Sequence, residues 1–405
     1  METAVYILLF ISLYVEVFML IAFLEYVARP VAAASTTPYE LPGVAVIVPC
    51  YNEEVGIRET LLSLLALDYP HDKLEIIVVD DGSTDHTASI ARQVADQARR
   101  ITVYTKENGG KHTAMNFGLA HTHAELVGCL DADSVVKPGA LLHIVSAFAD
   151  PRVMAVTPAI HVKQPHTILQ YMQEAEYRLA LFNRFILAKL GSMFITPGPF
   201  SFFRTALVQE LGGWKSAHMT EDMEMAMRIQ ATGGLIANAP RAHVYTATPQ
   251  TLGKLYHQRV RWTYGFLQNL RDYRHVLGNA QFGNLGMFIL PLAFISVFTA
   301  MFFFARSVID LATSSYDTYS YFALTGIWPV YHFNAFYINT SAFVFLAFVS
   351  LALVLALIAA GSWIGHETRR PPLSTPLFLL FGFITPIWLF AAVVRAGLKT
   401  GVRWR

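Results

Sequence analysis

Ala4 to about Tyr26 is an almost unbroken apolar run of about 23 residues, enough to cross a bilayer core of ~30 Å. Comparable runs return after Asn284: Leu285–Phe304, Ala335–Ile364 and Pro376–Val394. They predict three more transmembrane helices, four in all. A chain carrying such runs at both ends cannot fold as one water-soluble body, so any polar chemistry must come from the residues between them. The first run does not read as a secretory signal. Glu2 stands where a basic residue is expected, and no small-x-small cleavage pattern follows. Arg29, just past the run, places the N-terminus outside and the next segment in the cytoplasm. Glu16 falls mid-run, where a carboxylate must face protein or water. It is either a protonated or paired packing residue or the border of a polar channel.

The 405 residues are 54% hydrophobic and only 15% charged, too apolar for an ordinary soluble protein. A net charge of +1 excludes a nucleic-acid partner, which requires a basic surface. Cys50 and Cys129 lie in separate apolar, strand-like contexts and predict free buried thiols in a reducing compartment. The fourteen histidines show no zinc-ligand spacing.

The sequence divides into a segment 1–28 holding the first helix, a linker over 30–42, a middle segment 43–275, and a membrane region 285–398. In the middle segment, Val44–Val48 is a β-branched run stopped by Pro49, the mark of a buried parallel strand. A helix over about Glu54–Leu67 follows, with Leu61, Leu62, Leu64 and Leu65 on its inner face. Then come a strand Leu74–Val79, a helix of about Thr87–Ala98 and a strand Ile101–Tyr104. This alternation predicts a doubly wound α/β sheet. Ligands of such sheets sit at the carboxyl ends of the strands, where Asn52, Glu53 and Asp81 converge. No Gly-x-Gly-x-x-Gly follows the first strand and no P-loop occurs, which disfavours a dinucleotide fold or a P-loop NTPase.

Two further loops carry charge. Asn108-Gly109-Gly110-Lys111 precedes a helix predicted to open at Thr113, so close backbone approach and a point charge meet at a helix N-terminus. A strand Leu126–Leu130 runs into Asp131-Ala132-Asp133. Carboxylates at i and i+2 leaving a strand can share a hard divalent cation, Mg²⁺ or Mn²⁺, with diphosphate oxygens completing its shell. Alone, Asp-x-Asp is more often a solvated turn; an apolar strand and gathered carboxylates favour the metal.

Six patterns then stand in order: Val48-Pro49-Cys50-Tyr51-Asn52-Glu53, Val79-Asp80-Asp81-Gly82-Ser83, Asn108-Gly109-Gly110-Lys111, Asp131-Ala132-Asp133, Thr220-Glu221-Asp222 and Gln258-x-x-Arg261-Trp262. Together they resemble the family 2 glycosyltransferases, specifically the processive membrane synthases of cellulose, chitin, hyaluronan and poly-N-acetylglucosamine. The resemblance covers about residues 44–275 closely and the flanking helices in layout. The Gln258 cluster, with Tyr264-Gly265, is most similar to poly-N-acetylglucosamine and chitin-oligosaccharide synthases. It implies a GT-A-type doubly wound cytoplasmic domain with transmembrane and interfacial α-helices.

By that resemblance, Tyr51 and Glu53 border a uracil, Asp81 bonds its base edge, and Lys111 lies near the nucleotide or its phosphates. Asp131 and Asp133 hold the cation on the diphosphate. Asp222 is the general base for the acceptor hydroxyl and Glu221 orients its surroundings. Gln258 and Arg261 clamp the diphosphate, and Trp262 is a stacking platform for the acceptor sugar. Gly198 and Phe200, in the turn Thr196–Arg204, are walls of the acceptor pocket on the same basis, or simply a structural turn. The reaction implied is one in-line displacement at an α-linked sugar, giving a β product. Adjacent Glu221 and Asp222 cannot flank a glycosidic bond, which disfavours a hydrolytic pair.

Ile168, Met172, Ala175, Leu179, Phe182 and Ile186 recur at helical spacing with Gln173, Glu174, Arg178 and Arg184 between them. This is an amphipathic helix, packed on the sheet or, as favoured here, lying on the membrane surface. Residues 305–335 hold one basic residue, Arg306, and read as an outer loop, with Tyr321–Tyr337 re-entrant or interfacial. Arg369-Arg370 and the tail (Arg395, Lys399, Arg403, Arg405) both ask to be cytoplasmic with one helix between them. Either the tail is outside, or Tyr321–Tyr337 or Pro376–Val394 is not a simple crossing. Val402–Arg405 resembles a shortened gating segment but lacks the Ser or Thr expected after Trp404.

The function expected is a multi-pass plasma (inner) membrane polymerase. It takes a UDP-sugar, preferably UDP-N-acetylglucosamine, extends a growing polysaccharide, and passes it across the lipid bilayer. The reading leaves room for an accessory export or modifying subunit. The alternatives are a UDP-glucose polymerase, transfer of one sugar to a lipid phosphate carrier, and a transporter with a nucleotide-sensing domain.

Overall fold

A computed structural model describes residues 2–28, 40–329, 342–366 and 375–398. It opens with helix α1 (Glu2–Ala28) and continues into alternating strands and helices: β1 (Val44–Cys50), α2 (Ile57–Leu65), β2 (Leu74–Asp80), α3 (Thr87–Ala95), β3 (Ile101–Thr105), α4 (Lys111–Ala120), β4 (Leu126–Cys129), β5 (Ser134–Val136) and α5 (Ala140–Ala147). There follow β6 (Val153–Val162), α6 (Ile168–Lys189), β7 (Ser201–Arg204), α7 (Thr205–Glu210), α8 (Glu221–Ala231), β8 (Leu235–Thr246) and α9 (Leu252–Asp272). The chain ends in α10 (Leu290–Thr325), α11 (Ala342–Ile364) and α12 (Phe381–Leu398).

The eight strands form one sheet in the order β3-β2-β1-β4-β7-β6-β8-β5. β3, β2, β1 and β4 are parallel; β7 runs antiparallel to both β4 and β6. β1 is buried on both faces because successive side chains point opposite ways. Val44, Val46 and Val48 meet Ile57, Leu61 and Leu64 of α2, while Ala45 and Ile47 meet Ala114 and Met115 of α4. Leu62, expected on the inner face of α2, is 48% exposed. Four leucines within five residues span more of a helix than one buried stripe can cover. Both cysteines are free and buried, as expected.

Among the described residues four helices are long and apolar enough to cross a membrane: Thr3–Ala28, Leu285–Thr325, Ala342–Ile364 and Phe378–Leu398. The stretch 305–335, read as an outer loop, is instead helical as far as Thr325. With 36 residues α10 is about 54 Å long, well beyond the hydrocarbon thickness. Its start was legible as an apolar run; its polar continuation was not, because Arg306–Asp310 and serine-threonine positions carry a helix without hydropathy. Gly326, in the left-handed region at φ 67°, ends it. Residues 330–337 of the aromatic stretch, Arg369-Arg370 and the tail from Lys399 lie outside the described residues.

α6 joins the sheet to the membrane helices. Phe182, Phe185 and Ile186 pack against Met19 and Phe23 of α1 and Leu357, Ala360 and Ile364 of α11. The polar residues Gln173, Glu174 and Arg178 do not face water, as a surface helix would require; they are buried. Arg178 is 2% exposed and pairs with Glu174 at 3.3 Å, and Gln173 donates to the Pro249 carbonyl at 2.8 Å. The amphipathic pattern is real, but its polar face is covered by protein. Phe182 is fully buried, edge-on to Phe23 at 5.7 Å. Phe182→Ala is expected to cost about 3–5 kcal/mol. Thermal unfolding in detergent reads this, and an unchanged midpoint would refute the packing role.

Candidate active site

The carboxyl ends of β1 and β2 are laced together before any ligand enters. Asn52, at φ 56°, donates its N–H to Ser83 Oγ (3.0 Å) and accepts from the Thr84 N–H (2.8 Å). The Glu53 N–H donates to Thr87 Oγ1 at 2.8 Å. Tyr51 stays 46% exposed at this edge. Asp81 is buried, and its carboxylate accepts from Lys106 Nζ (2.6 Å), the Gly109 N–H (3.1 Å) and the Gly110 N–H (2.8 Å). It therefore orders the glycine loop that precedes Lys111. Lys106 was not singled out in the sequence; a lysine at a strand end has no distinguishing spacing.

α4 begins at Lys111, two residues before the expected start. Lys111 Nζ lies 2.5 Å from Asp131 Oδ1 and 3.9 Å from Glu221 Oε1, so one ammonium bridges the β4 loop and the N-terminus of α8. Burial works against that charge, but Asp131 and Glu221, with the hydrogen bond to Asp131, together hold Lys111 above the ordinary lysine range. Burial, then Asp131, pushes Asp133 up from the ordinary carboxylate range. Gly198 sits directly over the pair: a Cβ there would stand 2.7 Å from Lys111 Nζ and 3.2 Å from Asp131 Oδ2. It thus belongs to the Lys111–Asp131 corner. Phe200, named with it as an acceptor wall, is fully buried in the core against Phe202 (4.9 Å, edge-on) and lines no accessible pocket. An aromatic beside a glycine turn reads alike in either role until the strand's facing is known.

Asp131 and Asp133 fit a hard divalent cation: both are oxygen donors leaving one strand, and the Lys111 ammonium already stands as the cation against one of them. Among the described residues no three His, Cys, Asp or Glu side chains gather as a complete ligand set. The pair therefore suits an ion shared with a ligand's own oxygens.

Asp222 opens α8 beside Glu221. Its carbonyl accepts from both the N–H (3.3 Å) and the hydroxyl (2.7 Å) of Thr196, and its own Oδ1 takes the Met223 N–H at 2.9 Å. Burial first, then the Glu221 charge, raise its pKa to about 6 against the pull of Lys111 and Arg261. Opposite stands α9. Arg261 Nη1 donates to the Met219 carbonyl at 3.1 Å, and Gln258 keeps a buried Oε1 without a donor. Trp262 stacks with the Arg259 guanidinium at 4.4 Å, and Arg259 pairs with Glu176 of α6 at 2.6 Å. Arg259 and Glu176 also escaped the sequence reading, since their partnership joins residues 83 positions apart.

Lys111, Asp131, Glu221 and Asp222 thus form one electrostatic cluster, with the Gln258–Trp262 turn of α9 facing it through the Met219 carbonyl. Such a site can bind an anionic leaving group and take a proton beside it. The mixed sheet, its acidic loops and the long apolar helices are those of an α/β fold of the GT-A kind carrying helices long enough to cross a membrane. Residues 42–265 match the family described as "Glycosyltransferase like family 2", and the chain belongs to that family.

Among curated relatives, poly-beta-1,6-N-acetyl-D-glucosamine synthase of Staphylococcus aureus (strain COL) is 33% identical over 247 residues, 60% of this chain and 59% of the relative. Its Staphylococcus epidermidis counterpart is 31% identical over 229 residues, 56% of this chain and 55% of the relative. The chain therefore matches less than two thirds of these relatives' length. The solved mannosyltransferase PcManGT of Pyrobaculum calidifontis, in complex with GDP-Man and Mn²⁺, superposes with a TM-score of 0.60 at 24% identity, covering 97% of this chain and 99% of that one. That likeness extends the shared fold through the membrane helices.

Proposed function

We propose that the protein is an inverting, processive transferase that builds a β-linked N-acetylglucosamine chain from UDP-N-acetylglucosamine and passes it into the membrane. The observation that carries this reading is the half-buried Asp222, raised to about 6, beside Arg261 on a helix packed against α12. The names of the matched synthases support the choice of sugar.

The acceptor hydroxyl attacks the anomeric carbon from the face opposite the diphosphate. The new C–O bond forms as the bond to phosphate breaks, and UDP leaves with that electron pair. Asp222 receives the hydroxyl proton, and its raised pKa makes it a stronger base than a surface aspartate. Glu221, through Lys111, tunes the charge around it. Gln258, through its amide N–H, and Arg261, through its guanidinium, would hold the diphosphate. Tyr51 and Glu53 would border the base, and Asp81 would hold the loop beneath it. Trp262, fixed by Arg259 and Glu176, offers a flat apolar surface to a pyranose. A Mg²⁺ or Mn²⁺ held by Asp131 and Asp133 would supply Lewis-acid stabilisation of the departing diphosphate.

The reading places the 43–275 unit on the cytoplasmic face of a multi-pass membrane protein. α12 runs along α9, with Leu255 and Val260 against Trp388, Leu389 and Ala392, and Gln268 donating to the Ala396 carbonyl at 3.4 Å. This favours α12 as a helix bound to the domain rather than a simple crossing. Three crossings then remain, by α1, α10 and α11.

Membranes containing the protein, given labelled UDP-N-acetylglucosamine, UDP-glucose or GDP-mannose in turn with Mg²⁺ or Mn²⁺, test the proposal. Long products insoluble in organic solvent, from the first donor alone, are expected. A label that extracts as a sugar-lipid would replace polymerisation with single transfer to a lipid phosphate. Binding of donor without turnover would return the transporter reading.

A further inference from the structure

The corner that precedes Asp222 is built against its own backbone preference. Ala217, His218 and Met219 all lie in the left-handed region, at φ 37°, 54° and 67°, and none is glycine. Each such residue is strained unless its surroundings hold it. α9 holds this corner step by step. His218 Nε2 and Asp272 Oδ2 are 2.9 Å apart, Arg261 Nη1 donates to the Met219 carbonyl, and Asn269 Nδ2 donates to Thr220 Oγ1 at 2.8 Å. The Thr220 hydroxyl in turn donates to the Ala217 carbonyl at 3.2 Å and closes the turn. Gly265 permits this approach, since a Cβ there would lie 2.3 Å from Thr220 Oγ1.

Asn269 differs from its companions. It is 1% exposed, and its Oδ1 is buried with no donor. A buried polar atom left unpaired opposes folding, so a leucine of similar volume would serve packing better. Removing the amide would leave Thr220 still satisfied through Ala217. Stability therefore gives no reason for an amide at this position, and what it does touch is the residue two before the proposed base.

We propose that Asn269 is a positioning residue: by pinning Thr220 to α9 it fixes the carboxylate of Asp222 relative to Arg261 and Trp262, so that base, diphosphate clamp and acceptor platform keep one geometry. The inference rests on the reading of Asp222 as base. Asn269 itself touches no substrate group.

The test is Asn269→Leu in the full chain, purified in detergent, with Thr220→Val and the double variant beside it. Asn269→Leu is expected to unfold at or above the wild-type temperature and to bind UDP within about twofold of wild type, while kcat falls about 100-fold, the cost of a misplacement near 1 Å. The donor KM should change little. The acid limb of kcat against pH should move down as water reaches Asp222 between Glu221, Lys111 and Arg261. The double variant should lose no more than the worse single one. Asn269→Ala, which leaves a cavity without clashing, should repeat the kcat loss if leucine fails to pack. A kcat within about twofold of wild type in both Asn269 variants, or a loss that tracks melting or UDP affinity with an unmoved acid limb, would overturn the proposal. A wild-type protein that transfers sugar from no nucleotide donor would overturn the reading of Asp222 itself, and is distinguished by the wild-type lane alone.

Discussion

Asp222→Asn is expected to lower sugar transfer by about a thousandfold while leaving UDP binding intact, because a base that accepts the acceptor proton acts only in the transition state. The pH dependence of the native enzyme sharpens this. Asp222 must be ionised to work, and burial beside Glu221 lifts it to about 6. Activity should therefore fall with one-proton dependence as pH drops through about 6. The stability sign is opposite. A carboxyl raised above its unfolded value of 3.8 favours the fold most when protonated, and that contribution is lost as pH rises from there through about 6. At pH 7 Asp222 is a charge the fold tolerates rather than uses. Asp222→Asn should accordingly unfold at or above the wild-type temperature while being inactive. Product synthesis by this variant at near the native rate would dismiss Asp222 as the base.

Asp131→Asn is expected to be as damaging to activity, about 100–1000-fold, but with the reverse effect on the fold. Its carboxylate accepts from Lys111 at 2.5 Å, and Gly198 seals the pair from above. Without it a half-buried ammonium keeps only Glu221, at 3.9 Å, which should cost about 1 kcal/mol of stability. Calorimetry of UDP binding with and without Mn²⁺ separates the two effects. The native protein should bind UDP more tightly with Mn²⁺, and the variant should lose that increment without recovery at excess metal. A variant whose Mn²⁺ response is intact would remove Asp131 from the cation site.

The two variants probe neighbours that local sequence treats alike: an aspartate in a short acidic motif. Their opposite stability effects come from what each touches. Asp131 has a lysine to neutralise; Asp222 has a second carboxylate beside it. Similar contrasts mark where reading the chain fell short. Phe200 and Gly198 share one turn, yet the left-handed backbone at Phe200, φ 62°, precedes a strand that drives its ring into the core, while the glycine lies over Lys111. The polar stripe of α6 predicted water where the structure places Pro249 and a buried Glu174–Arg178 pair. Residues 305–325 lack hydropathy but keep helical hydrogen bonds through serine, threonine and an Arg306–Asp310 pair.

What the sequence determined by itself is whatever depends on periodicity and local spacing. Continuous β-branched runs alternating with helices, apolar stretches of membrane length and acidic loops at strand ends pointed to an α/β fold flanked by apolar helices, because those patterns follow from backbone geometry alone. The transferase reading came from the resemblance of the six motifs in order. Tertiary structure decided the pairings: Lys111 with Asp131 and Glu221, Arg259 with Glu176 and Trp262, and Asn269 with Thr220. All but the Arg259–Trp262 stack join residues 20 or more positions apart, and a hydrogen bond or ion pair depends on ångström distances that only the packed helices and sheet set.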